Sequence, residues 1–89
     1  MEKTNNKHLA IGSVVLLKEG TQKLMIVGFC PIVEDTVYDY AAVAYPEGIT
    51  TKKRMFFNYE DIETVCHYGY VDDEEIKYMK KLSDISSEL

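Results

Sequence analysis

A mainly β fold, a small SH3-like, partly open barrel of five antiparallel strands carrying one C-terminal α-helix, is predicted by three features of the sequence. Short β-branched and aromatic runs recur between residues 11 and 70. Glycine, proline and acidic residues punctuate them, and every gap is too short for the crossover helix that a parallel pair needs. Only beyond residue 71 does the apolar spacing change from a strand period to a helical one. The 89 residues, 46% hydrophobic and 28% charged, have a globular composition and the length of one domain.

Each element has its own local reason. Residues 1–8 are polar after Met1 and read as a disordered arm in front of a single domain of residues 9–89. Residues 11–17 (Ile-Gly-Ser-Val-Val-Leu-Leu) read as the first strand, Lys18-Glu19-Gly20-Thr21 as a tight turn, and residues 23–29 as the returning strand. Gly28 marks a bulge or a close approach, and Pro31 limits pairing beyond it. Glu34-Asp35-Thr36 breaks the pattern before a third strand at 37–45, with Tyr38, Tyr40, Ala42 and Ala44 on one face. At Pro46-Glu47-Gly48 the chain reverses, because proline presets φ and glycine accepts a positive φ. Residues 53–57 form a fourth strand, 58–61 a turn or single 3₁₀ turn, and 62–70 a fifth strand. Curling such a sheet into a barrel hides edges that would otherwise aggregate.

At residue 72 the period changes. Asp72 and Glu75 have the spacing of a helix cap, and Asp73, Glu74 and Glu75 place negative charge where the helix dipole favours it, so a helix is expected over 72–88. Tyr78, Leu82, Ile85 and Leu89 share one stripe with Val71, while Lys77, Lys80, Lys81, Asp84 and Glu88 occupy the opposite arc. Met79 flanks the stripe. Ile76 lies away from it, either as a stray surface residue or as a second apolar contact for a partner.

Composition excludes several kinds of function. Ten Lys plus Arg against fifteen Asp plus Glu give a net charge of -5, so no global field draws the protein to nucleic acid. Lys52-Lys53-Arg54 is too small a basic run to reverse that, and reads as a charged strand edge. Cys30 and Cys66 are too few for a disulfide scaffold and too distant in sequence for a paired-thiol motif. With no apolar leader and no membrane-length run, a cytoplasmic location is expected. An enzyme is not expected: His8 lies in the arm, and Cys66 and His67, adjacent in a strand, point to opposite faces. Zinc-ligand spacing is missing, the five glycines are scattered singly, and the acidic cluster at 72–75 serves the helix cap, so no metal or cofactor is expected.

Seven tyrosines exceed background. Such rings place an apolar body against a core and a hydroxyl in water, or form a contact face for another protein. Candidate partner-binding residues are Tyr38, Tyr40, Tyr59, Tyr68 and Tyr70, then Ile76 and Met79 on the helix. The segment Phe29-Cys30-Pro31-Ile32-Val33 carries four apolar residues and a thiol, and either adjusts partner choice or fills the barrel mouth.

Several blocks occur in one order: Ile11-Gly12-Ser13-Val14-Val15-Leu16-Leu17-Lys18, Lys23-Leu24-Met25-Ile26-Val27-Gly28, Tyr38-Asp39-Tyr40, Tyr45-Pro46-Glu47-Gly48, Phe56-Phe57-Asn58, Asp61-Ile62 and Gly69-Tyr70. Over residues 9–82 the chain resembles the small bacterial "domain of unknown function 4176" family. That resemblance implies a Gram-positive bacterial setting, in gene clusters with LXG-type toxins exported by type VII secretion. It implies a non-enzymatic adaptor or chaperone-like protein that binds a cognate toxin, and brings no catalytic residues with it. An immunity protein acting on the toxin's effector domain is the alternative, and a nucleic-acid-binding barrel a more distant one. A homo-oligomer is compatible with either role.

Overall fold

The computed structural model describes residues 9–50 and 54–86. The expected arm at 1–8, Lys52 and Lys53, and the helix end at 87–89 lie outside the described residues. In chain order the described elements are β1 (Val14–Leu17), β2 (Leu24–Phe29), β3 (Ile32–Val33), β4 (Thr36–Val37), β5 (Tyr40–Ala44), β6 (Met55–Phe57), a 3₁₀ turn (Tyr59–Asp61), β7 (Ile62–His67) and α1 (Asp73–Ser86). Five strands form one antiparallel sheet in the order β6-β5-β2-β1-β7, and β3 pairs with β4 separately. The last strand returning beside the first, after a 3₁₀ turn, is the SH3-like arrangement expected, and the sheet stays open between β6 and β7.

Register explains the core. Val15 faces Leu24, Ile26 faces Ala42, and Tyr40 faces Phe57, so residues from four strands point to one side. With Leu9 they form the buried cluster, and Leu17, Phe29, Tyr59, Ile62 and Val65 pack around it. A register shift between Ile26 and Gly28 is a bulge, one of the two readings of Gly28, and brings Phe29 opposite Tyr40. Their rings meet edge to face at 6.2 Å, and Tyr40 lies 5.8 Å from Phe57.

The open side is bridged by hydrogen bonds. Asp39 Oδ2 accepts from the Tyr59 N–H at 2.8 Å, and the Asp39 N–H donates to Asn58 Oδ1 at 3.0 Å. The Asn58 N–H donates to Asp61 Oδ2 at 2.9 Å, and the Lys18 N–H to the Asp61 carbonyl at 2.9 Å. The 3₁₀ turn is thereby tied to both the start of β5 and the end of β1, where an unbridged gap would leave these polar groups unpaired.

Element boundaries differ from expectation where backbone hydrogen bonds divert the chain. The first strand starts at Val14 rather than residue 11, because Gly12 has φ +94° and the Ser13 N–H turns back to the Ala10 carbonyl at 3.0 Å. The fifth strand stops at His67 rather than residue 70. Gly48 takes the expected positive φ, +76°, while the peptide bond before Pro46 is cis. The Asp72 cap forms, with Oδ1 accepting from the Glu75 N–H at 3.0 Å. On α1 the side turned inward is Glu75, Met79 and Leu82, all half-buried. Tyr78 and Ile85, expected on that stripe, are instead 52% and 55% exposed. Tyr78 still meets Phe29, with ring centroids 6.4 Å apart.

The largest departure is the segment read as a connection. Residues 32–37 form a hairpin with Ile32 opposite Val37, and Ile32 is 64% exposed rather than filling the barrel mouth. Its two turn residues, Glu34 (φ 51°) and Asp35 (φ 68°), both adopt the left-handed region that a two-residue I′ turn demands. Neither is a residue that takes it without cost. Replacing the pair by asparagine and glycine (Glu34→Asn with Asp35→Gly) is therefore expected to raise stability by roughly 1–2 kcal/mol, seen as a higher urea midpoint at unchanged m-value. An unshifted midpoint would mean the acidic pair holds this turn without strain.

Candidate partner-binding surfaces

The strand register defines two ends of the barrel. Val14, Phe29, Tyr40, Phe57 and His67 lie at one, and Leu17, Leu24, Ala44, Met55 and Ile62 at the other. Most of the candidate aromatic residues belong to the first end. Tyr68 and Tyr70 follow β7 there and are 67% and 79% exposed. Tyr38 precedes β5, half-buried, with its ring 6.2 Å from Phe56. Tyr59 is also half-buried, held by the Asp39 carboxylate through its N–H and packed on the core.

Tyr40 does not belong to a surface. At 2% exposure it is part of the core, and burial pushes its phenol pKa well above the ordinary value, with the nearby Asp39 carboxylate adding to the shift. Ile76, 55% exposed, lies open on α1, whereas Met79 is half-buried on the inward side. The seven candidates therefore do not form one continuous face.

What positions Tyr68 and Tyr70 is the glycine between them. Gly69 crosses the backbone of residues 11–13, and its N–H donates to Ser13 Oγ at 2.9 Å, where Ser13 is fully buried. The crossing fixes the strand exit, so the two rings leave it on a short anchored segment rather than a loose tail. Tyr68, Tyr70, Val71, Ile76 and Tyr78 are all large, apolar and about half or more exposed within eleven residues of chain.

The other end carries a feature that the sequence did not disclose. A cavity of about 430 Å³ opens between the β1–β2 turn and the connection from β5 to β6. Leu17, Leu24 and Val43 line it together with Ile49 and Met55, and among the described residues Glu19 and Arg54 are its charged lining residues. One wall is braced: Gln22 Nε2 donates to the Tyr45 carbonyl at 2.7 Å, and the Tyr45 N–H donates to the Lys23 carbonyl at 2.9 Å. A Cβ placed on Gly48 would meet nothing within 4 Å, as expected beside open space. Separate apolar strand ends and a distant loop converge here, which no periodicity within one segment reveals.

Among the described residues no three His, Cys, Asp or Glu side chains are grouped as a metal ion requires. No described helix is long and apolar enough to cross a membrane. Cys30 is half-buried and Cys66 exposed.

Strand order, open barrel edge and appended helix define a small SH3-like barrel domain. The chain belongs to the family described as Domain of unknown function (DUF4176), whose profile matches residues 8–78. No curated protein and no solved structure matches it.

Proposed function

We propose that this protein is a non-enzymatic binding module that holds a protein partner, in the setting that its family resemblance implies: a cytosolic adaptor or chaperone-like protein for an LXG-type toxin before type VII export. The observation that carries a binding role is the run of exposed apolar side chains from Tyr68 to Tyr78. A monomer seldom leaves that much large apolar surface in one short segment, and aromatic side chains are the residues that give most at protein interfaces. Its action is stoichiometric. Covering apolar surface on the toxin stabilises a soluble, export-competent state by mass action, while the net charge of -5 affects association rate and partner choice.

The test is a pull-down from native cytosol, followed by truncation of whatever toxin is retained. Retention through a region outside the effector domain is the expected result, and Tyr68→Ala with Tyr70→Ala should weaken it at least tenfold, by about 1.4 kcal/mol or more. Retention only through the effector domain supports the immunity role instead. A folded double variant that binds as well as the parent protein removes the aromatic end from the interface.

A further inference from the structure

We propose that the cavity at the far end of the barrel is a second docking point, which takes one bulky apolar side chain of a protein segment with an acidic residue beside it. This deepens the binding-module reading and rests on it for the class of partner. Concavity, wall and floor are already in place: Leu17, Leu24 and Val43 supply apolar lining, and Gln22 is pinned to the Tyr45 carbonyl, so little ordering is needed on binding. At about 430 Å³ the space falls within the range of ligand pockets.

Two observations select a protein segment rather than a small molecule. Ile49 is 72% exposed and Met55 43% exposed, although both line the cavity. A molecule contained in the cavity leaves that apolar rim wet, whereas a protein segment covers floor and rim together, with the rim excluding water around a central anchor. Charge gives the second. Arg54 lines the cavity, a positive charge in a protein of net charge -5. An acidic group next to the anchor is favoured there, while a basic segment is drawn elsewhere on this acidic protein. Glu19, on the β1–β2 turn, disfavours acid on its own side and so orients the segment, with its acidic residue toward Arg54.

The experiment is selection from a random-peptide phage library on the full chain, with the selected peptides then titrated against variants. Expected are peptides that pair a Leu, Ile or Phe with Asp or Glu and bind the Y68A/Y70A protein as they bind the parent. Ile49→Asp and Arg54→Glu, each at an exposed position outside the core, should weaken them at least tenfold with folding unchanged by circular dichroism. Peptides indifferent to both substitutions, peptides of basic character, or no selected peptide at all would overturn the proposal. Because the probe is a library and not the toxin, the result separates cleanly from the pull-down. A toxin lost only by Y68A/Y70A leaves the binding-module reading intact and removes the cavity from it.

Discussion

Gly69→Ala is expected to be the most damaging single methyl group in the chain. A Cβ at this position would stand 2.2 Å from the Ile11 carbonyl oxygen and 3.0 Å from the Ser13 nitrogen, both backbone atoms that no side-chain rotation can move aside. Relief requires separating the segment after β7 from residues 11–13, which also breaks the bond from the Gly69 N–H to the buried Ser13 Oγ. The expected loss is about 3 kcal/mol or more, from overpacking combined with a buried hydroxyl deprived of its partner. In a domain of this size each kcal/mol lowers Tm by roughly 4–8 °C, so a fall of at least about 12 °C should appear in a thermal melt. Gly12→Ala provides the contrast. Its added Cβ has its nearest contact at 3.9 Å, so the cost is limited to holding alanine at φ +94°. A Gly69→Ala protein as stable as the Gly12→Ala protein would show that the crossing is looser than its geometry.

Tyr40→Ala should destabilise by about 4 kcal/mol, the cost of deleting a large buried aromatic ring. This ring is 2% exposed and touches both Phe29 and Phe57, so its removal opens a void between three strands. Tyr40→Phe keeps the ring and separates packing from ionisation. Burial, then the Asp39 carboxylate and further neighbours, raises the phenol pKa in the folded protein above its ordinary value near 10. Stability linked to this group is therefore fully present below about pH 10 and is lost as pH rises from there through the folded pKa, because the unfolded chain releases the proton first. The slope contributed by one such proton approaches about 1.4 kcal/mol per pH unit. Urea midpoints measured from pH 8 to 11 should fall more steeply for the parent than for Tyr40→Phe. Equal slopes would mean that Tyr40 ionises alike in both states.

These two substitutions separate what was legible in the sequence from what was not. Strand alternation placed Tyr40 and Ala42 on one face, and the structure keeps them together on the core side. The pattern of β5 could not say which face was core, because small and aromatic residues occur on both. That choice falls to pairing: the shift between Ile26 and Gly28 aligns Phe29 with Tyr40 and commits the tyrosine to the interior. Tyr40, a candidate for partner contact by its residue type, thus became packing by its register. The helix behaves likewise. Its cap was readable from Asp72 and Glu75, since capping is local, but the arc turned inward includes Glu75 and Met79 and leaves Tyr78 and Ile85 about half exposed.

By itself the sequence determined the mainly β class, the antiparallel connections and the capped helix, and narrowed Gly28 and residues 58–61 to two readings each, because each depends on residues within a few positions of one another; the structure chose the bulge and the 3₁₀ turn. The resemblance read from its ordered blocks agrees with the family match over residues 8–78. Tertiary structure alone decided the hairpin at 32–37, the crossing of Gly69 over Ser13, the burial of Tyr40 and the cavity opposite the aromatic end. All four depend on residues brought together by closure of the chain or on backbone angles that side-chain type does not specify. Gly69 and Ser13 are 56 positions apart, and no local periodicity carries information over that distance.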